Sequence, residues 1–127
     1  MLRVMMAAAV LCTAAIPAIA ADPAAGEKAF GVCKACHKVG EGAKNGVGPA
    51  LNGVVGRAAG SGEGYKYSDA MASSGITWDE ANLAEYLKNP KTKVAGNKMM
   101  FAGVKDDTKI ADIIAFLGQF NADGTKK

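Results

Sequence analysis

The chain has 127 residues, a length typical of one domain, and its 15 lysines and arginines exceed its 12 aspartates and glutamates by a formal net charge of +3. So mild a positive charge excludes a nucleic-acid-binding protein whose affinity comes from neutralising phosphates. The chain shows no alternating strand pattern, no internal repeat and no sign of a second domain.

The first twenty residues predict a secretory signal peptide. Arg3 supplies a positive start, residues 4–16 are almost wholly apolar, and Ala18-Ile19-Ala20 is a small-x-small cleavage site. We therefore expect cleavage after residue 20, a single domain over residues 21–127, and a location in the bacterial periplasm. An uncleaved membrane anchor is the alternative, although the apolar run is short for a membrane span and is interrupted by Pro17.

The first helix of the domain is predicted to begin at Asp22-Pro23 and to run towards Cys36. Aspartate is a good N-cap, and proline suits the first helical position. Gly26 lies inside this helix, where glycine costs stability relative to alanine. Its presence indicates that another helix approaches closely at this point.

Residues 40–64 contain nine glycines and show no helical or strand periodicity. A flexible linker is one interpretation. Apolar residues are nevertheless interleaved through the stretch, and loops of this length are uncommon unless they serve a function. We therefore favour a folded loop wrapped over something apolar through Val47, Pro49, Leu51, Val54 and Val55.

Two helices are predicted after this loop. The first is a short helix within residues 68–74, capped by Ser68 and stopped at Gly75. For the second, Thr77 and Glu80 have the spacing of a capping box. That helix is expected to end at Asn89-Pro90 and to turn three side chains inward: Leu83, Tyr86 and Leu87.

The last helix has the clearest pattern, because its apolar residues recur at i, i+3, i+4 and i+7 and form one stripe. We expect Asp107 or Thr108 to cap it and the two C-terminal lysines to form a polar tail. The predicted fold class is all-α, with three main helices, one short helix and glycine-rich loops. The stripe consists of Ile110, Ile113, Ile114 and Leu117.

The segment Cys33-Lys34-Ala35-Cys36-His37 indicates the chemistry. Residues three apart lie on one face of a helix, so both thiols can form thioethers with the two vinyl groups of one haem while His37 coordinates its iron. This spacing is a signature of covalent c-type haem attachment. We accordingly expect one haem c, bound through Cys33 and Cys36.

Three other interpretations of this segment are weaker. A thioredoxin-like redox pair belongs in a βαβ setting, which is absent from the pattern. A zinc site needs four ligands, and residues 21–127 contain no cysteine or histidine outside this segment. A buried histidine without a special role is the remaining alternative.

The second axial ligand of the iron can be narrowed by elimination. His37 is the only histidine, so a pair of histidine ligands is impossible. Three methionines remain as candidates. Met71 falls in the short helix, where packing is the commoner role, whereas Met99 and Met100 follow a loop. Spacing alone does not choose between these two neighbours.

A family resemblance extends over all of residues 21–127. The segments that carry it are Ala25-Gly26-Glu27-Lys28, residues 33–37, Gly48-Pro49-Ala50-Leu51, Gly56-Arg57, residues 65–70, Ile76-Thr77-Trp78, Glu85-Tyr86-Leu87, residues 98–103 and residues 112–117. Together these segments resemble class I cytochrome c, most closely its bacterial periplasmic cytochrome c-two branch. A four-helix cytochrome would instead carry its Cys-x-x-Cys-His motif near the C-terminus.

The resemblance implies roles for residues around the haem. It implies that Met99 is the distal ligand and that the carbonyl of Pro49 accepts a hydrogen bond from the ring of His37. It places Tyr86 near the methionine sulfur. It also implies that three further side chains hold a haem propionate, namely Arg57, Tyr67 and Trp78.

Other matched and unmatched positions carry further expectations. Gly26 and Phe30 match the point where the first helix crosses the last, near Phe116. Three residues depart from the family pattern: Asn97 stands where threonine is common, Ala95 where proline is common and Met71 where asparagine is common. They bear on the hydrogen bonds of the distal side and on the redox potential.

These features predict an electron carrier and not an enzyme, because two axial ligands leave the iron without an open position. The resemblance suggests a quinol-oxidising cytochrome bc complex as donor, and an oxidase, a reaction centre or a periplasmic reductase as acceptor. We expect a monomer that steers acidic partners through a ring of lysines: Lys34, Lys91, Lys98 and Lys105. A haem enzyme or gas sensor and a haem-free thiol protein are the competing hypotheses.

Overall fold

The computed structural model describes residues 8–10 and 20–127. Most of the predicted signal peptide therefore lies outside the described residues. Within the described part, no helix combines the length and the apolar character that crossing a membrane requires. The same residues form five α-helices and no strand, as expected for an all-α fold.

The helices follow one another in an irregular spacing along the chain. Helix α1 covers Pro23–Ala29 and continues as a 3₁₀ helix over Phe30–Cys33. A long connection without helix then leads to a helix of only four residues. The remaining helices are α2 Asp69–Ala72, α3 Glu80–Lys88, α4 Pro90–Lys93 and α5 Asp107–Leu117.

The start of α1 agrees with the sequence, but its end does not. The Asp22 carboxylate accepts a hydrogen bond from the backbone N–H of Ala24 at 2.9 Å, and Pro23 occupies the first turn. The α-helix ends at Ala29, and the chain tightens into a 3₁₀ turn before reaching the cysteine motif. Short 3₁₀ segments are common at helix C-termini.

The crossing of α1 and α5 is the most extensive helix–helix contact among the described residues. Gly26 is buried there, and a Cβ atom on it would overlap the backbone carbonyl of Asp112 and the side chain of Phe116. The rings of Phe30 and Phe116 pack with their centroids 5.4 Å apart. The absence of a side chain at residue 26 is therefore what allows the two helices to meet.

The apolar stripe of α5 faces the core, as its spacing predicts. Ile110, Ile113, Ile114 and Leu117 are all buried. The N-cap differs from the expectation of Asp107 or Thr108, because Asp106 holds that position and its carboxylate accepts from the N–H groups of Thr108 and Lys109. Three consecutive residues could have capped this helix, and the one that precedes the first helical turn does so.

The predicted capping box at Thr77 is also wrong. The N-cap of α3 is Asp79, whose Oδ1 accepts from the backbone N–H of Asn82 at 2.7 Å. Thr77 is held in an extended conformation by an antiparallel bridge to Ala58. That long-range pairing fixes the chain before the helix, so the helix begins two residues later than the box implies.

Two features of the C-terminal half were not predicted. Helix α4 begins at Pro90, immediately after α3 ends, so that Asn89 caps the end of one helix and the start of the next. The C-terminal lysines do not form a free tail, since Lys126 pairs with Phe120 in an antiparallel bridge. The ammonium of Lys126 lies 5.8 Å from the centroid of the Phe120 ring.

The glycine-rich stretch 40–64 is a folded loop, as the interleaved apolar residues indicate. The side chain of Asn52 both donates to and accepts from the backbone of Gly40, each at 2.8 Å. Val54 is buried in the core, whereas Val47 is 76% exposed. The loop is therefore anchored to the core at Val54 and leaves Val47 at the surface.

The close approach of α1 and α5 gives a testable consequence. Replacement of Gly26 by alanine should lower the free energy of unfolding by about 2 kcal/mol or more, because the new methyl group overlaps backbone atoms that cannot move independently. Denaturant unfolding of the purified protein measures the change. Gly31→Ala is the matched control, since a Cβ there meets nothing within 4 Å. Equal stability of the two variants would contradict the close-packed crossing.

Candidate functional site

A cavity of about 590 Å³ lies between the 3₁₀ turn, the glycine-rich loop, α3 and the segment before α5. This volume is within the range of small-molecule and cofactor sites. Its walls are predominantly apolar, with contributions from buried core residues such as Phe30, Leu83 and Ile113. All nine site residues predicted from the sequence line it: Cys33, Cys36, His37, Pro49, Arg57, Tyr67, Trp78, Tyr86 and Met99.

The cysteine motif forms a tight turn at one wall of the cavity. The N–H groups of Cys36 and His37 both donate to the carbonyl of Cys33, at 3.1 and 2.8 Å. This turn brings both thiols and the imidazole to the same cavity. No disulfide joins the two cysteines, so both sulfurs are available for another bond.

The environment of Cys33 argues against a redox-active thiol pair. Burial raises the pKa of Cys33 above its ordinary value, and the nearby Cys36 raises it further. Catalytic and redox cysteines have lowered pKa values, because the thiolate is the reactive form. The half-buried Cys33 is therefore poorly suited to the thioredoxin-like chemistry considered from the sequence.

The imidazole of His37 is fixed by a hydrogen bond and by packing. Its Nδ1 lies 2.8 Å from the carbonyl oxygen of Pro49, and a carbonyl can only accept, so this nitrogen carries the proton. A proton held on Nδ1 makes Nε2 the ring nitrogen that could bind a metal, an arrangement typical of ligating histidines. Gly48 packs against the ring so closely that a Cβ atom would overlap it.

The methionines differ in how they line the cavity. Met71 is buried in α2 and Met99 is partly buried, whereas Met100 is 95% exposed at the rim. Only the sulfur of Met99 has a polar partner among the described residues, the hydroxyl of Tyr86, which donates to it from 3.7 Å. The geometry thus distinguishes Met99 from Met100, which the spacing alone could not exclude as the second axial ligand.

Tyr86 is held in a buried, neutral state. Burial raises its pKa to about 12, with a smaller contribution from Tyr65. Its ring packs against the buried indole of Trp78, the centroids lying 4.8 Å apart. The phenol therefore keeps its proton throughout the physiological range and can donate to the sulfur of Met99.

The polar part of the wall contains a partly buried arginine with an unused donor. Arg57 donates from Nη1 to the carbonyl of Asn52 at 3.0 Å, but its Nε is buried without a hydrogen-bond partner among the described residues. Buried N–H groups are almost always paired, so this one fits an acceptor on a bound molecule. The hydroxyl of Tyr67 accepts from the N–H of Gly62 at 3.1 Å and retains its own proton for donation.

The donor set fits the haem that the motif predicts. Two thiols at one wall suit the two vinyl groups, and the imidazole and a thioether suit the iron. The orphaned Arg57 Nε and the Tyr67 hydroxyl suit a carboxylate such as a propionate. A zinc site does not fit, because the described residues include no group of three His, Cys, Asp or Glu side chains that could hold a metal ion.

The rim of the cavity combines exposed apolar and basic side chains. Val32, Val47 and Met100 are 66%, 76% and 95% exposed. Of the four lysines expected around this edge, Lys98 also lines the cavity and lies over the ring of Tyr65, with its ammonium 4.8 Å from the centroid. The other three, Lys34, Lys91 and Lys105, are exposed.

One of these lysines forms hydrogen bonds within the chain through its ammonium group. The ammonium of Lys105 donates to the carbonyls of Lys88 and Ala102 and to the side chain of Asn89, at 2.7, 3.2 and 2.9 Å. It therefore ties the end of α3 to the segment that carries Met99. This structural role could not be anticipated from its position in the sequence.

Tyr65 was missed as a site residue, and Asn97 was noted only as a departure from the family pattern. Tyr65 donates from its hydroxyl to the carbonyl of Val47 at 2.8 Å, which holds the exposed part of the glycine-rich loop at the rim. Asn97 binds the backbone of Met99 through its side chain. The departure of Asn97 from the family pattern was the only available signal for it.

Comparisons with known proteins agree on one family. The family described as Cytochrome c matches residues 23–121. Cytochrome c2 of Blastochloris viridis is 55% identical over 118 residues, 93% of each chain, and cytochrome c-554 of Methylosinus trichosporium is 53% identical over 127 residues, 100% of this chain and 96% of the relative. The solved structure of cytochrome cH from Methylobacterium extorquens is 56% identical, with a TM-score of 0.72 over 76% of this chain and 97% of its own.

The packing of Gly48 beneath His37 leads to a prediction. Gly48→Ala should reduce the free energy of unfolding of the haem-containing protein by about 1–3 kcal/mol, because the added methyl group must push the imidazole off its hydrogen bond to Pro49. Gly46→Ala serves as control, since its nearest contact is the Cys36 carbonyl at an ordinary 3.8 Å. Chemical denaturation followed by haem absorption compares the two, and a Gly48→Ala protein as stable as wild type would show that the ring is not confined in this way.

Proposed function

The chain belongs to the cytochrome c family, and from this premise we propose that it is a periplasmic electron carrier whose haem iron is ligated by His37 and Met99. Family membership confirms the class I cytochrome c fold, one covalently bound haem c, and electron transfer as opposed to enzymatic catalysis. The axial ligands, the location and the partners form the proposal.

The observation that carries the proposal is the convergence of four side chains on one cavity. Cys33 reaches it from the end of the 3₁₀ turn, and Cys36 and His37 reach it from the turn that follows. Met99 reaches it from a segment more than sixty residues later. His37 offers Nε2 because Nδ1 is bonded to Pro49. Met99 offers a thioether held near the hydroxyl of Tyr86. This set is the one that covalent attachment and two-sided ligation require.

The residues around the site suit a carrier that is reduced and oxidised without rearrangement. When bound, the haem supplies an iron that changes its oxidation state by one electron. A neutral thioether ligand raises the reduction potential, and the hydrogen bond from Tyr86 withdraws further electron density from the sulfur. The apolar wall formed by Phe30, Leu83 and Ile113 excludes water, which favours the less charged ferrous site.

The proposed location follows from the N-terminal sequence. A basic start, an apolar run and a small-x-small site constitute an export signal, and attachment of residues 21–127 to haem would then take place in the periplasm. A quinol-oxidising cytochrome bc complex is the proposed donor. An oxidase, a photosynthetic reaction centre or a periplasmic reductase is the proposed acceptor.

Replacement of the two neighbouring methionines tests the axial ligand. Met99→Ala should abolish the sulfur-to-iron charge-transfer band of the ferric protein and allow the ferrous protein to bind carbon monoxide rapidly, because an open coordination position is created. Met100→Ala is the matched control, since Met100 is 95% exposed and its loss should change neither property. Retention of the band in Met99→Ala, or its loss in Met100→Ala, would overturn the assignment. Rapid carbon monoxide binding by wild type would favour a gas sensor.

The lysines at the rim give a second prediction. Electron exchange with a purified quinol-oxidising cytochrome bc complex should slow by at least about tenfold from low to high ionic strength, because salt screens the attraction between the basic rim and an acidic partner. Lys98→Glu should slow the exchange at low salt because Lys98 lines the cavity, whereas Lys127→Glu, the same charge change outside the cavity lining, should have a smaller effect. Stopped-flow kinetics supply the rates, and rates independent of ionic strength would refute steering by the rim.

A further inference from the structure

We propose that Asn97 is the positioning residue that holds the sulfur of Met99 at the cavity, by clamping the backbone of Met99 to α4. The inference rests on the proposed ligation by Met99 and adds to it the group that controls how readily this ligand is displaced.

The side-chain amide of Asn97 makes three hydrogen bonds, two from its nitrogen and one to its oxygen. Its Nδ2 donates to the carbonyls of Pro90 and Val94, at 3.0 and 2.8 Å. Its Oδ1 accepts from the backbone N–H of Met99 at 2.8 Å. One planar group therefore joins the first residue of α4, the C-cap residue that follows α4 and the proposed ligand.

Only an amide suits this position. A carboxylate has acceptors but no donor when ionised, so an aspartate would present negative charge to two carbonyl oxygens. A hydroxyl, as in the threonine common in the family, has a single proton and could satisfy only one carbonyl. The departure at Asn97 is therefore matched by a hydrogen-bond pattern that threonine could not reproduce.

Helix α4 is a firm platform for this clamp even though it has only four residues. Pro90 is almost completely buried, and Val94 is 5% exposed. The ammonium of Lys93 donates to Asn82 at 2.9 Å and to Glu85 at 2.5 Å, which ties α4 to α3. The amide of Asn97 thus links the backbone of Met99 to α4, and through Lys93 to α3.

Apart from this amide, the polar contacts near Met99 come from exposed lysines: Lys98 donates to the carbonyl of Lys66, and Lys105 donates to the carbonyl of Ala102. Ala95, Gly96 and Lys98 are exposed, so apolar burial does not fix this segment. The contact between the Tyr86 hydroxyl and the Met99 sulfur, at 3.7 Å, is longer than the bonds of the amide. The backbone of Met99 should therefore move away from the cavity more easily once the amide is lost.

Exogenous imidazole provides the test, because it can bind the ferric iron only when the methionine has left. Asn97→Asp should increase the apparent affinity for imidazole by about tenfold, the effect expected from the loss of two hydrogen bonds that each contribute modestly. Asn97→Ala should show a similar increase and Asn97→Thr a smaller one. The sulfur-to-iron charge-transfer band should weaken in the same order.

Asn52→Asp is the matched control. Asn52 is equally half-buried and also clamps backbone through both ends of its amide, but its partner is Gly40, far along the chain from Met99. It should lower the free energy of unfolding without changing imidazole affinity. Equal imidazole affinity of wild type and all three Asn97 variants, or an equal increase in Asn52→Asp, would overturn the positioning role.

The outcomes separate this inference from the proposed ligation. A wild-type protein without the charge-transfer band would reject Met99 as ligand, whatever the Asn97 variants do. A band that is present in wild type, lost in Met99→Ala and unaltered in the Asn97 variants would reject only the clamp. If Asn97→Asp fails to acquire haem, Asn97→Thr and Asn97→Ala decide the question, because neither introduces a buried charge.

Discussion

The hydrogen bond between the ring of His37 and the carbonyl of Pro49 organises the site, because the chain has a single histidine and every other contact must be arranged around it. It fixes which ring nitrogen carries the proton and so leaves Nε2 for the proposed bond to the iron. It also draws the glycine-rich loop against the cysteine turn, which explains the need for Gly48 where no side chain would fit.

The two sides of the cavity are held by different means. On the histidine side, a short turn confines both cysteines and His37 within five residues, and covalent attachment of the haem would make this arrangement permanent. On the methionine side, the position of Met99 depends on a relay of polar contacts from α3 through Lys93 to α4 and then through Asn97. The methionine side of the cavity is therefore easier to open than the histidine side.

An electron carrier needs both proposed ligands to stay bound to the iron in both oxidation states, because little reorganisation may accompany rapid electron exchange. The methionine side is therefore the side that needs additional support. The neutral Tyr86 phenol, whose pKa is raised to about 12 by burial, supports the thioether without adding charge to the site. The apolar wall keeps water away, and the exposed rim leaves one edge available to partners.

The sequence was sufficient to predict one covalently bound haem and the strongest helix. The spacing of Cys33, Cys36 and His37 is a local constraint that only one cofactor fits well, and the stripe of α5 repeats over enough residues to define its buried face. The contact of Gly26 with α5 was also predictable, since an interior glycine in a helix requires an explanation.

The predictions from the sequence fail where several neighbouring residues could cap the same helix, or where a contact with a distant segment determines the local structure. Asp106, Asp107 and Thr108 could each have capped α5, and only the three-dimensional path of the chain selects among them. Thr77 does not cap α3 as predicted, because it pairs with Ala58 in an antiparallel bridge. The two residues are distant in sequence, so no local pattern could predict their contact. The role of Asn97 depends on the carbonyls of α4, a helix too short to be recognised from periodicity.

X-ray absorption at the iron edge of the purified protein tests the central claim most directly, because it identifies the atoms bound to the metal. We expect nitrogen ligands and one sulfur in the first coordination shell in both the oxidised and the reduced protein, as required by an iron held between His37 and Met99. A shell without sulfur in either oxidation state, or a preparation without iron, would contradict it.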